Sequence, residues 1–248
     1  GVASAFARDR VVDGYGRVLA VVVLMQGLML KIAGSAAWRA WFPPGTFAAD
    51  FGGAIALKLL TAVPIVGILL FVTRSPRAAF LSPGDLRAKA ERIGWLGLPG
   101  NTIAWGRLAL ISGFLIAFGT LLLTLLTATG FALPSNLDRL WPLLPLIVVL
   151  ALANSFAEGV AYRNAVLGPL AGALPKGAVV LAPAAFFGAA HYDGVPSGVI
   201  GVVMSGALGW FLARAMFETR GFLAPWIIHF LQDVFIFSTI VLLGGYSS

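Results

Sequence analysis

Seven long apolar stretches run through this chain, near Val18–Ala33, Phe51–Val72, Thr102–Thr129, Leu140–Val166, Gly177–His191, Ser197–Phe217 and Phe222–Leu243. Several approach or exceed the roughly 20 apolar residues that a helix needs to cross a hydrocarbon core. Only helices and closed barrels satisfy their backbone groups in lipid, and the short alternating segments of a barrel are absent. The fold class expected is therefore all-α, a polytopic transmembrane helical bundle of about seven to eight membrane helices, with residues 1–248 forming a single integral membrane domain. Composition agrees: 59% of residues are hydrophobic and only 11% charged, against roughly 25% charged in soluble domains. A net charge of +7 would raise nucleic acid as a partner for a soluble protein. Here it reads as basic loops beside a lipid bilayer, with no nucleic acid. The absence of cysteine excludes disulfides, thiolate metal ligands and a cysteine nucleophile.

Loop charge predicts orientation, because cytoplasmic loops carry the excess of Lys and Arg. Arg8, Arg10 and Arg17 precede the first span, and Arg74, Arg77, Arg87, Lys89 and Arg92 follow the second. Arg163 and Lys176 flank the turn from span four to span five, and Arg214 and Arg220 the turn from six to seven. These loops are expected to lie together at the cytoplasmic side of the cell membrane, with the N-terminus cytoplasmic. In the long connection 73–101, Asp85 is a plausible N-cap. Leu86, Ala90 and Ile93 would then share one face of a short surface helix. An ordinary solvated loop is the alternative. Gly201, Ser205 and Gly209, four apart in span six, form a small-residue ridge suited to close helix packing.

The ionisable residues inside the apolar stretches carry the functional argument, since charge at membrane depth is costly and marks function. Glu158 lies in span four, and the only two histidines, His191 and His229, end span five and occupy span seven. Phe187 and His191 are four apart, as are His229 and Asp233, so each pair shares a helical face. Glu158 and Arg163 are five apart, about 140° round an ideal helix. Arg163 could pair with Glu158 across a distorted turn, hold a neighbouring loop, or sit at the membrane interface. Several peptidase chemistries are missing. Neither histidine has the neighbours of an HExxH zinc helix. Ser205-Gly206 has Val203 where a GxSG motif needs its first glycine, and no GxGD-type aspartate motif is present.

One Glu, two His and a supporting Asp on three helices resemble the CPBP family, the CAAX-protease and bacteriocin-processing intramembrane endopeptidases. Its pattern is EExxxR, then FxxxH, then HxxxN or HxxxD. Glu158 to Arg163, Phe187 to His191 and His229 to Asp233 fit in order and spacing. The stretches His191-Tyr192-Asp193-Gly194-Val195-Pro196-Ser197-Gly198 and Thr219-Arg220-Gly221-Phe222-Leu223-Ala224-Pro225-Trp226 also look like prokaryotic members. The resemblance covers roughly 140–243, which is expected to form the catalytic core. It departs at Gly159, where the family has its second Glu.

The resemblance implies hydrolysis of a peptide bond by activated water. The substrate would be a membrane-anchored or leader-bearing protein or peptide. Glu158 would be the base, assisted by His191, with His229 and Asp233 stabilising the oxyanion and Arg163 and Phe187 in support. No cofactor is favoured. The rival version places Zn²⁺ on Glu158, His191 and His229. Two other functional classes stay open: a non-catalytic scaffold or immunity-type binding protein on the same fold, and a proton-coupled transporter. A difficulty of depth also stands. His229 and Asp233 fall in the cytoplasmic half of span seven, while His191 ends span five, nearer the opposite side. Tilted helices or a re-entrant segment near 164–176 would be needed to bring them together.

Overall fold

The computed structural model describes residues 2–130, 137–194 and 197–244. Val195 and Pro196 of the family-like stretch, and the side chains of Arg8 and Arg10, lie outside that description. Helices account for nearly all of the regular structure: α1 (Val2–Ala33), α2 (Ala36–Trp41), α3 (Phe47–Thr73), α4 (Trp105–Thr129), α5 (Leu140–Glu158), α6 (Ala165–Leu170), α7 (Lys176–Ala189), α8 (Gly198–Thr219) and α9 (Leu223–Leu243). A π-helical turn, Gly159–Asn164, joins α5 to α6 without a break. No β-strand occurs among the described residues, only two isolated bridges in the connection after α3.

Among the described residues, six helical segments are long and apolar enough to cross a bilayer, the longest being the fused run Leu137–Leu170. Their outer faces need lipid. Val63 and Leu115, in the middle of α3 and α4, are 70% and 67% exposed, a poor arrangement in water at about 25 cal/mol per Å². The protein is a multi-pass membrane protein. The expected number of seven to eight membrane helices is revised, because the fifth span is the 14-residue α7. At about 1.5 Å per residue it reaches roughly 21 Å, short of a hydrocarbon core of about 30 Å.

That shortness resolves the difficulty of depth. Helix α7 packs along α8, which lies in turn against α9, while α9 packs against α4 and α5. Lys176, at the start of α7, meets Glu218 near the end of α8. The two helices therefore begin and end at the same side. Helix α7 climbs only part of the way across, so His191 stops within the bundle. Glycines bring α7 and α8 together: a Cβ on Gly188 would lie 2.7 Å from Val202 O, and one on Gly209 would lie 3.1 Å from Phe187. Gly209 belongs to the expected small-residue ridge, whereas Ser205 faces the internal cavity described below.

The connection after α3 is neither a surface helix nor a solvated loop. Asp85 Oδ1 accepts from the backbone of Arg87 at 2.8 Å, a local turn in place of a helix cap. The chain then folds down so that Ala90 and Ile93 are buried with Trp105, Leu212 and Ile228. Gly84 has φ +82°, and a Cβ there would lie 2.8 Å from Gly221 Cα. This close approach lets Phe222 N and Leu223 N donate to Ser82 O and Pro83 O. Glu218 clamps the connection to the helices. Its side chain is 4% exposed and accepts from Arg214 at 2.7 Å, Lys176 at 2.8 Å, Trp105 Nε1 at 2.9 Å and the backbone of Glu91 at 3.0 Å. Removing the carboxylate takes the acceptor from Trp105 Nε1 and from the backbone N–H of Glu91, and leaves Lys176 and Arg214 with the exposed Glu91 as their acidic partner. Glu218→Ala is expected to cost about 3 kcal/mol, read as a lower unfolding midpoint in detergent. An unchanged midpoint contradicts the clamp.

Candidate active site

The π turn after Glu158 sets the geometry of the centre. Its i→i+5 hydrogen bonding brings residues five apart into line, so Arg163 comes under the same face as Glu158. Arg163 is fully buried and is no membrane-interface anchor. Its Nη2 lies 3.3 Å from His229 Nδ1 and 3.4 Å from Ser155 O, and its guanidinium lies over Phe187 at 5.9 Å. Its Nε and Nη1 make no hydrogen bond.

Helix α9 supplies His229 and Asp233, anchored to α5 by Trp226 Nε1, which donates to Leu152 O at 3.1 Å. His229 Nε2 is 3.5 Å from Glu158 Oε2 and 3.6 Å from Asp233 Oδ1. Both are longer than the usual N–H···O bond of about 2.9 Å. Helix α7 supplies Phe187 and His191. The Phe187 ring meets His229 edge-on, with centroids 5.6 Å apart, and tilts against His191 at 4.3 Å. It is a spacer between the two imidazoles. Glu158, Phe187, His191, His229 and Asp233 all line one cavity of about 360 Å³. The three motif helices thus converge on a single space inside the bundle.

The hydrogen bonds assign opposite tautomers to the two histidines. Arg carries only donors, so His229 Nδ1 is the accepting nitrogen and Nε2 holds the proton, aimed at Glu158 and Asp233. His191 Nδ1 lies 2.8 Å from Phe187 O. A carbonyl only accepts, so this nitrogen carries the proton and His191 Nε2 is left with its lone pair. One histidine offers a donor at Nε2 and the other an acceptor.

Two polar residues of this centre escaped the motif search. Lys58, from α3, places Nζ 2.6 Å from Glu158 Oε1 and 2.7 Å from Asn154 Oδ1. Asn154 Nδ2 donates to Asp233 Oδ2 at 3.0 Å. Lys58 is a lone lysine amid the apolar second span, and an intramembrane lysine is itself a functional signal. Asn154 is one turn before Glu158 and on the same face. Two cations stand beside the residues of the rival zinc set, Glu158, His191 and His229. Lys58 holds Glu158 Oε1, and Arg163 holds His229 Nδ1. Among the described residues, no group of three His, Cys, Asp or Glu is disposed to hold a metal.

Gly159, where the EExxxR pattern has its second Glu, is closely packed. A Cβ there would lie 2.7 Å from the Phe222 ring and 2.9 Å from Arg163 Nη2. Restoring the acid by Gly159→Glu is expected to displace both, at about 1–3 kcal/mol. A lower unfolding midpoint checks this, and an unchanged or higher one contradicts it.

Beside the cavity, an apolar groove of about 560 Å³ lies between α4 and α8, lined by Leu108, Leu115, Ala207 and Phe211. It shares Ile116, Met204 and Leu208 with the cavity wall.

No curated protein and no solved structure matches the chain. Residues 139–235 match the family described as type II CAAX prenyl endopeptidase Rce1-like. That segment begins at α5 and ends just past Asp233, so it holds Glu158, His191, His229 and Asp233, while Lys58 stands outside it. The chain is thus similar, over residues 139–235, to the Rce1-like family of type II CAAX prenyl endopeptidases.

Proposed function

We propose that this protein is an intramembrane endopeptidase that hydrolyses a peptide bond with water activated by Glu158. The observation that carries the reading is the meeting of Glu158, His191, His229 and Asp233 around one cavity within the bundle. Glu158 Oε2 takes a proton from water as the hydroxyl adds to the carbonyl carbon. His191 Nε2 is a second acceptor for that proton. The oxyanion that forms is met by His229 Nε2–H, and Asp233, when protonated, is a second donor. The held proton then passes to the leaving nitrogen, the C–N bond breaks, and a carboxylic acid and an amine result, the acid giving its proton to the amine as the products leave. Arg163 fixes the His229 tautomer and Phe187 sets the spacing of the imidazoles. No metal is required, a reading supported by the two cations in the centre.

The substrate proposed is a membrane-associated peptide whose lipid chain lies in the groove between α4 and α8. The family's own description, a CAAX prenyl endopeptidase, makes a prenylated CAAX peptide the first substrate to try. The N-terminus is assigned to the cytoplasm. Val11 and Tyr15 of α1 pack near Phe80 and Phe217, at the end that also holds Lys176 and Arg214. Lys176 and Arg214 at that end support a cytoplasmic face rich in Lys and Arg. Residues 140–243 are the proposed catalytic core of one membrane-embedded unit.

A farnesylated CAAX peptide in lipid nanodiscs, with release of its C-terminal fragment followed by mass spectrometry, tests the reading. Glu158→Gln is expected to lower turnover by about 10²–10⁴-fold with its unfolding midpoint retained. Cleavage at the wild-type rate by that variant refutes the base assignment. His229→Gln is expected to lower turnover by about 10²–10³-fold, the usual loss on removing one oxyanion donor. A smaller effect than tenfold removes His229 from that role. Treatment with 1,10-phenanthroline is expected to leave cleavage intact, and the purified protein to carry no stoichiometric zinc. Loss of activity that added zinc restores would contradict the metal-free reading.

A further inference from the structure

We infer that Lys58, on α3 and outside the family segment, positions both carboxylates of the active site. This rests on the hydrolytic reading above. Its Nζ is 2.6 Å from Glu158 Oε1 and 2.7 Å from Asn154 Oδ1. A lysine donates only, so Asn154 must turn its oxygen toward Lys58 and its NH₂ toward Asp233, which it reaches at 3.0 Å. One ammonium thereby fixes Glu158 directly and Asp233 through an amide whose orientation it dictates.

The consequence at Glu158 is a division between its two oxygens. Oε1 is taken by Lys58, and Oε2 stays beside His229 Nε2 at 3.5 Å, available to a reacting water. Without Lys58, Glu158 can turn and present either oxygen or neither. Asn154 can flip, which would set its carbonyl against Asp233. The formal charges point the same way. Lys58 is the cation in direct contact with Glu158, and removing it leaves that carboxylate without its ion-pair partner at membrane depth. Lys58 also borders a second notch of about 20 Å³, lined by Gln26, Thr61 and Tyr162, enough for about one water. Lys58 and Glu158 thus line both the main cavity and this water-sized notch.

Lys58→Met and Lys58→Arg in the full chain, in nanodiscs, test this with two readouts. The first is cleavage of the farnesylated CAAX peptide. Lys58→Met is expected to lower kcat by on the order of 10²-fold, the cost of misplacing a reacting group, with KM unchanged. Lys58→Arg keeps the charge and the donors and is expected to recover most of that loss. An equal kcat in Lys58→Met, or no recovery in Lys58→Arg, overturns the inference. The second readout needs no substrate. Dicyclohexylcarbodiimide reacts slowly with a carboxylate held in an ion pair, so labelling of Glu158, mapped by peptide mass, is expected to be faster in Lys58→Met than in wild type or Lys58→Arg. Equal labelling in all three overturns the contact. If wild type and Glu158→Gln are equally inert on the peptide, the hydrolytic reading fails, and the labelling alone decides whether Lys58 holds Glu158.

Discussion

Charge inside a bilayer must be answered by charge or by hydrogen bonds, and this centre is built around that constraint. Two carboxylates, Glu158 and Asp233, and two cations, Lys58 and Arg163, meet where α3, α5 and α9 converge. An unpaired ion at such depth costs several kcal/mol, and removing one partner of a buried pair costs about 3–5 kcal/mol. When Asp233 is ionised the four formally cancel, and each is tied to a neighbour: Lys58 to Glu158, Asp233 to Asn154 and Arg163 to His229. Packing supports the arrangement. Phe187 spaces the imidazoles, Trp226 fixes α9 on α5, and Phe222 fills the room beside Gly159.

The same contacts prepare the two histidines for different tasks. Arg163 can only donate, so it makes His229 an acceptor at Nδ1 and a donor at Nε2. The carbonyl of Phe187 can only accept, so it makes His191 the reverse. A hydrolytic site needs both kinds of group, one to draw a proton from water and one to meet the charge that develops on oxygen. Under this account, the division of labour is set by the partners outside the cavity. A preorganised donor of this kind is worth more in a dry site than in water.

The helical bundle was legible in the sequence because runs such as Phe51–Val72 and Phe222–Leu243 are long and apolar, and α3 and α9 fall almost where expected. Glu158, His191, His229 and Asp233 stood out because polar residues are rare in such runs. The length of α7 did not, because an apolar run that ends at His191 does not reveal where in the bilayer it ends. The π turn at Gly159–Asn164 was equally hidden. On an ideal helix Arg163 points away from Glu158, and only the extra residue in the turn brings it back. Lys58 was visible as a lone cation in span two, yet a search guided by motifs in the C-terminal half passed over it. The connection after α3 misled for a further reason. Leu86, Ala90 and Ile93 have helical spacing, but burial of Ala90 and Ile93 against α4 and α9 outweighs that local preference.

With only two histidines in the chain, ¹⁵N spectroscopy of histidine-labelled protein in nanodiscs observes the centre directly, and a His191→Gln variant assigns the signals. The account predicts one histidine of each tautomer: His229 with its proton on Nε2 and an accepting Nδ1, and His191 with its proton on Nδ1 and an accepting Nε2. Two histidines in the same tautomer, or His229 protonated at Nδ1, would contradict the assignment of donor and acceptor on which the site depends.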